Sequence, residues 1–405
     1  MYNRDACPYF FKIVVPGMSL PVVISGIRKY FCNCGVYMIT KFHKVKNPSI
    51  IILLLLSFSL SAQKKVDLDR YNFSVQYHSL PAMRLDSTYR TYNVVVEGSK
   101  MMQPFLPEMA PEKTVLLEGW RKLPQDGHIT IKVKLEDLLP ESVSVKERLE
   151  QIKDKAGQIT GTRTLYCEEV IYTFAATASI SDYKGMHITD EVLADRGNKL
   201  VFKSPEFAIK KLAEGYFLIN AKASTSDLYR NCVNKAMHYL SDRITNDFGF
   251  NEVTVRDMMW IVGSRKHPEY TPHREAFRQL NEVLFSMNAN KSINGAKEQL
   301  EPVIRYFESV KGKYTTTSKH DRKIRYASYY NLAVLYYYLD DPALMMKEAN
   351  GLVLNDYDTK DGKAFEASAT ALKNLFQRAN IYTRHFNLDT YNFKGPFEGN
   401  AQTSK

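Results

Sequence analysis

Four side chains in the segment KHPEYTPHREAF carry the chemistry of a metal site: His267, Glu269, His273 and Glu275. Imidazole combined with carboxylate suits zinc or another divalent ion. Pro268 and Pro272 break the segment, so no helical i, i+4 pair of ligands is available, and a polar connector leading into a helix accounts for the same residues. Asp356, Asp358, Asp361 and Gly362 in DYDTKDGKAF raise the question of a calcium loop. Such a loop needs acceptors at positions 1, 3 and 5, glycine at 6 and a bidentate Glu at 12. Counted from Asp356, Lys360 stands at 5, glycine falls at 7 and Ala367 stands at 12, so three requirements fail. An inter-helix turn uses the same residue types.

Carboxylate chemistry has one further candidate set, Glu168, Glu169 and Asp182. Glycoside hydrolysis needs paired carboxylates, but adjacent residues of a strand point to opposite faces. Asp247-Phe248-Gly249 spells a kinase triplet without the Gly-rich loop and HRD segment that should precede it, and it reads as a helix end. No GxSxG, HExxH, P-loop or dinucleotide fingerprint occurs. The residue pattern therefore predicts no catalytic residue, no metal and no cofactor.

The tyrosines point elsewhere. Tyr326, Tyr329, Tyr330, Tyr336, Tyr337 and Tyr338 crowd one apolar stretch, Ile324–Leu339. With about 3.6 residues per helical turn, six tyrosines cannot all face one core. Tyr329, Leu332, Ala333 and Tyr336 follow the i, i+3, i+4, i+7 spacing of a packed face. Tyr330, Tyr337 and Tyr338 lie off that spacing and are the expected partner-binding anchors, a task to which aromatic side chains are well suited. The competing expectation is a helix buried all round against the β-rich part.

Around these residues, 405 residues suffice for two or three domains. The net charge of +11 is concentrated at the front, where residues 1–62 hold seven of the 55 basic residues and one of the 44 acidic ones. The remainder carries only +5, too mild a surplus for a nucleic-acid footprint. Lys41, Lys44 and Lys46, the apolar run Ile50–Leu56 and the small residues Ser61-Ala62 before Gln63 have the three-part plan of a secretory signal over 38–62. That core is too short for a membrane span of about 20 residues. Residues 1–37 are expected to be an upstream extension from a start site placed too early. After the signal only Cys167 and Cys232 remain. An oxidising compartment would permit them to pair, whereas two buried thiols are the simpler expectation.

From Tyr71 to Leu135 apolar residues alternate, as in Tyr71, Phe73, Val75, Tyr77 and Ile129, Ile131, Val133, Leu135, which predicts half-buried strands. Val145–Lys155 has mixed charges and is expected to form a short exposed helix. Thr164–Ser181 is expected to be one central strand, and Leu200 with Phe202 another. Ser204-Pro205-Glu206 has the chemistry of a helix start, with Ala208, Leu212, Tyr216 and Ile219 as its stripe, and Leu228, Cys232, Ala236 and Tyr239 mark a further helix. Strands followed by segregated helices predict an α+β fold, with a β-rich domain over 63–250. A helical unit over 266–390 and a loose tail over 391–405 complete the expectation.

The stretch 324–376 resembles tetratricopeptide helical hairpins, whose repeat is about 34 residues. Phe365, Ser368, Ala369 and Leu372 repeat the pattern of Tyr329, Leu332, Ala333 and Tyr336 at a distance of 36 positions, and Met345, Ala349 and Leu352 form the stripe between them. Met345 stands where that family usually has a small residue. The likeness extends over roughly 274–380 and implies a short, irregular tetratricopeptide-like solenoid that holds a partner. The residues around Ser61-Ala62-Gln63 resemble the signal ends of exported proteins of Bacteroidetes-type Gram-negative bacteria. The whole chain looks like exported proteins that end in such degenerate repeats. That resemblance implies a non-catalytic interaction or scaffold protein, periplasmic or associated with the outer envelope, binding a protein or peptide. A glycan-binding envelope protein and an envelope hydrolase with its site in the β-rich domain are the alternatives.

Overall fold

The computed structural model describes residues 66–398, so the segments expected to be an upstream extension and a signal lie outside the described residues. The fold is α+β, with sheet-forming segments before the C-terminal helices. Five strands form a mixed sheet in the order β3-β2-β4-β7-β8: β3 (Arg121–Lys122), β2 (Thr91–Gly98), β4 (Ile129–Leu135), β7 (Ala176–Asp182) and β8 (His187–Ala194). β2 runs parallel to β3 and β4, whereas β4–β7 and β7–β8 are antiparallel. The alternating burial of Ile129, Ile131, Val133 and Leu135 follows from one face of β4 lying in the core.

That face packs on α1 (Lys210–Phe248), a single helix of 39 residues where two were expected. Its second half supplies Tyr229, Val233, Ala236, Met237, Leu240 and Ile244, which share a core with the sheet. Its first half has a different environment: Leu212 and Ile219, read as core from their spacing, are exposed. Ser204 does not cap the helix. Its hydroxyl accepts from the Glu168 backbone N–H at 2.8 Å and so continues the strand edge.

A second sheet, in the order β5-β6-β9, comprises β5 (Leu139–Lys153), β6 (Ile159–Thr173) and β9 (Leu200–Lys203). The helix expected over 145–155 is thus a strand, and the strand expected over 164–181 is two, divided between the two sheets. The mixed charges misled because β5 is wetted on both faces, so its period carries no burial signal. Gly157, at φ +83°, and the Asp154 carboxylate, which accepts from the Ala156 and Gln158 N–H groups at 2.9 Å, close the hairpin.

The third sheet is an antiparallel ribbon of β1 (Leu68–His78) and β10 (Glu252–Val262) in unbroken register from Leu68↔Val262 to His78↔Glu252. β10 was not foreseen, although Val253 and Val255 alternate with polar residues. The helices are α2 (Tyr270–Ser286), α3 (Asn294–Lys313), α4 (Lys319–Tyr338), α5 (Pro342–Asn355) and α6 (Thr359–Ala379). Ser318, Asp341 and Asp358 cap α4, α5 and α6 by accepting from N–H groups of the following turn. Gly351 lets α5 approach α4, because any Cβ there would collide with the Tyr329 ring.

Phe73, Val75, Met259 and Ile261 of the ribbon share a core with Phe277, Leu300, Phe307, Leu332 and Leu335 of the helices. Leu372 and Phe376 of α6 belong to the core of the large sheet. A boundary between 250 and 266 therefore cuts through shared packing, and 66–398 belongs to one compact unit. The described part of the expected loose tail is also engaged: Arg121 Nη1 donates to the Phe393 carbonyl at 2.6 Å and pairs with Glu398 at 2.7 Å.

Candidate partner-binding surface

The aromatic helix α4 lies along β10, and its register there is set by one side chain. Asn331, fully buried, accepts from the Trp260 N–H and donates to the Trp260 carbonyl, both at 2.8 Å. The amide takes the place of a neighbouring strand at that point of the ribbon. An Asn331→Leu chain should lose about 2–3 kcal/mol, because two backbone groups would be left unpaired in the interior. Urea denaturation measures the loss, and a difference under about 0.5 kcal/mol would refute this role for the amide.

Held this way, α4 places Tyr326 and Tyr330 beside Trp260, with ring centroids 6.4 and 6.1 Å from the indole. Phe365 of α6 meets Tyr330 edge-on at 5.0 Å, and Tyr357 meets Tyr326 at 5.1 Å. The indole Nε1 donates to the Tyr326 hydroxyl at 3.2 Å, which donates in turn to Asp361 at 2.5 Å. Burial pushes the carboxyls of Asp257 and Asp361 up, even though Tyr338 and Tyr326 donate to them. Burial first, then the nearby Asp257 and Asp361, raise the Tyr330 phenol, which is therefore neutral at physiological pH. Arg70 of β1 sits 6.0 Å from the centre of the Trp260 ring system. The result is a half-buried aromatic cluster whose base is hydrogen-bonded.

The three expected anchors have different surroundings. Tyr330 is half-buried at this cluster. Tyr337 is also half-buried, with the Arg384 guanidinium 4.5 Å from its ring centroid. Tyr338 is buried, which corrects the expectation of an exposed residue: its hydroxyl donates to Asp257 at 2.7 Å, and its ring meets Phe73 edge-on at 5.6 Å. Spacing along α4 did not reveal this, because the ribbon covers a face that a simple helical hairpin would leave open.

The KHPEYTPHREAF segment folds inward. His267, Glu269 and His273 are buried, while Glu275 pairs with Arg278 at 2.7 Å on the surface. Burial alone would raise the Glu269 carboxyl, but Lys313 at 2.6 Å and the hydroxyls of Tyr306 and Tyr314 at 3.0 Å pull it below its usual range. His273 Nδ1 accepts from the Val262 N–H at 3.1 Å. Among the described residues no group of three or more His, Cys, Asp or Glu is placed to hold a metal ion. Asp356 is a left-handed helix terminus and Asp358 a cap, the turn chemistry already given as the alternative to calcium.

Glu168 is buried and accepts from the Phe217 N–H at 2.7 Å, whereas Glu169 faces Lys146 and Lys203 at 3.6 and 3.3 Å. Asp182 is bonded to Tyr89 at 3.1 Å and to its own turn. The three do not converge on one site. Among the described residues Cys167 and Cys232 are free thiols and do not pair with each other. Ser99, Asp137, Glu136 and Arg196 line a shallow cleft near the carboxyl ends of β2 and β4, where Ser99 donates to Asp137 and Arg196 to Glu136. No described helix is long and apolar enough to cross a membrane. No protein-family model matches the chain, and no curated protein matches it.

Proposed function

We propose that this chain is an exported, non-catalytic interaction protein of the bacterial cell envelope that binds a protein or peptide at the Trp260–Tyr330–Phe365 cluster. The observation that carries the reading is the half-buried Tyr330, braced by Trp260 on β10, which Asn331 joins to α4, and by Phe365 on α6. A rigid aromatic side chain with a bonded base loses little freedom when a partner covers it. Tyr337 and Tyr338, the other two residues proposed as anchors, act in this reading by holding α4 in place rather than by touching the partner. The signal-like segment before Gln63 supports export.

The test is affinity capture from envelope extract, paired with thermal melts. A partner held by the wild-type chain should bind a Tyr330→Ala chain at least roughly tenfold more weakly, as loss of an aromatic anchor requires. Tyr337→Ala should lower the melting temperature and leave partner affinity unchanged below it. A captured partner indifferent to Tyr330→Ala would refute this surface, and a glycan eluted in its place would favour the glycan-binding alternative.

A further inference from the structure

Among the described residues β5 is the outer strand of its sheet and pairs only with β6. It is 15 residues long, and 12 of them are exposed, Leu149 at 73%. Edges of this length are usually guarded by charge, since unpaired N–H and C=O groups template further strands. β5 carries such charges, Lys146, Glu147, Arg148, Glu150 and Lys153, but their order makes the edge complementary to itself. In an antiparallel pairing of two identical strands about a two-fold axis, residues equally distant from the centre face each other on the same side of the sheet. Centring on Lys146, Glu147, Arg148 or Glu150 sets like charges on the axis. Centring on Leu149 sets Leu149 against itself, Arg148 against Glu150 twice, and Glu147 against Gln151 twice.

We propose that β5 is the docking edge for a second copy of this chain, with the two-fold axis at Leu149. Charge complementarity on one face of the sheet carries the assignment. Within each chain Arg163 pairs with Glu150 of β5, and Arg148 pairs with Glu206 at 2.6 Å. The Leu149-centred register joins these pairs into an alternating row, Arg163–Glu150–Arg148–Glu206, that crosses the interface in both directions. Opposite charges directly across antiparallel strands stabilise the pairing, and like charges oppose it. The contact is isologous and closes at two copies, because pairing consumes the one long edge that the described residues leave free in this sheet. It leaves the Tyr330 cluster untouched, so it stands independently of the proposed partner site.

Sedimentation velocity of the purified chain tests this over roughly 1–100 µM, the range suited to a small interface. The wild-type chain should be dimeric at the upper end. Leu149→Arg, Arg148→Glu and Glu150→Arg should each weaken association by roughly a hundredfold, as like-charge juxtaposition at an interface requires. Leu149 is exposed and makes no ion pair, so the circular-dichroism melt of Leu149→Arg should match the wild type. Arg148→Glu and Glu150→Arg also lose exposed pairs to Glu206 and Arg163, which contribute little to stability, and should melt only slightly lower. An equimolar mixture of the Arg148→Glu and Glu150→Arg chains should dimerise again, because opposite charges then face each other at both sites. A wild-type chain that stays monomeric, a Leu149→Arg chain that dimerises normally, or a mixture that stays monomeric would each overturn the proposal.

Discussion

Replacing Asp340 by asparagine should cost the fold about 3–5 kcal/mol, the range for a buried ion pair that loses one member. Arg384 is buried, and its Nε donates to Asp340 Oδ1 at 2.7 Å. Its own backbone N–H donates to Asp340 Oδ2 at 2.6 Å, and its Nη2 to the Tyr337 carbonyl at 2.5 Å. The guanidinium lies between the rings of Tyr77 and Tyr337, 4.2 and 4.5 Å from their centroids. Burial alone would lower the Arg384 pKa, but Asp340 outweighs it and holds the group charged. Asparagine tolerates the left-handed backbone at Asp340, φ +55°, so that substitution removes the charge without adding backbone strain.

Arg384→Met should cost less than Asp340→Asn, because the Thr383 hydroxyl at 3.0 Å and the Arg384 N–H still serve the carboxylate. The double variant should cost less than the sum of the two, by more than about 1 kcal/mol, as residues of one network do. Guanidinium denaturation of all four chains supplies the cycle, and strictly additive losses would contradict the coupling. Amide exchange should quicken at His78 and Phe386. The first donates to the Arg384 carbonyl at 2.8 Å and the second to the Ala289 carbonyl at 3.0 Å, so this ion pair fastens the C-terminal segment to both ribbon and helices.

Acidification is expected to destabilise the protein through His273. Burial lowers its imidazole from 6.5 to about 3, with Glu269 raising it and His267 and Arg274 lowering it further. Between those values the unfolded chain binds a proton that the folded chain refuses. The stabilisation is therefore complete above pH 6.5 and is lost progressively as pH falls toward 3. A difference of this size corresponds to roughly 4–5 kcal/mol at its limit. The depressed carboxyl of Glu269 acts in the same direction at lower pH, whereas the raised carboxyls of Asp257, Asp361 and Glu348 act in the opposite one. The difference between wild type and His273→Gln isolates the imidazole, since glutamine can still accept from Val262 without titrating. Urea midpoints from pH 7 to 4.5 should fall more steeply in the wild type; equal slopes would rule out His273 as the source.

The sequence by itself determined those elements whose period matches their burial. β1 and β4 alternate because one face of each lies in a core, and α2 to α6 show helical stripes with caps at Ser318, Asp341 and Asp358. The α+β class follows from that order of elements. Tertiary structure alone decided the elements whose periodicity is not set by a core. β5 is wetted on both faces and therefore read as a helix, and the first half of α1 shows a stripe whose Leu212 and Ile219 are exposed while Tyr216 meets only Phe207 among the described aromatic rings. The same holds for the tyrosines: spacing distinguished Tyr330, Tyr337 and Tyr338 from the packing positions of α4, but not from one another. Their environments come from β1, β10 and the segment around Arg384, which lie up to 270 positions from Tyr338 in the chain. Helical periodicity reports how a residue faces its own helix axis; which neighbour fills the opposite side depends on contacts between distant segments, and no local pattern encodes them.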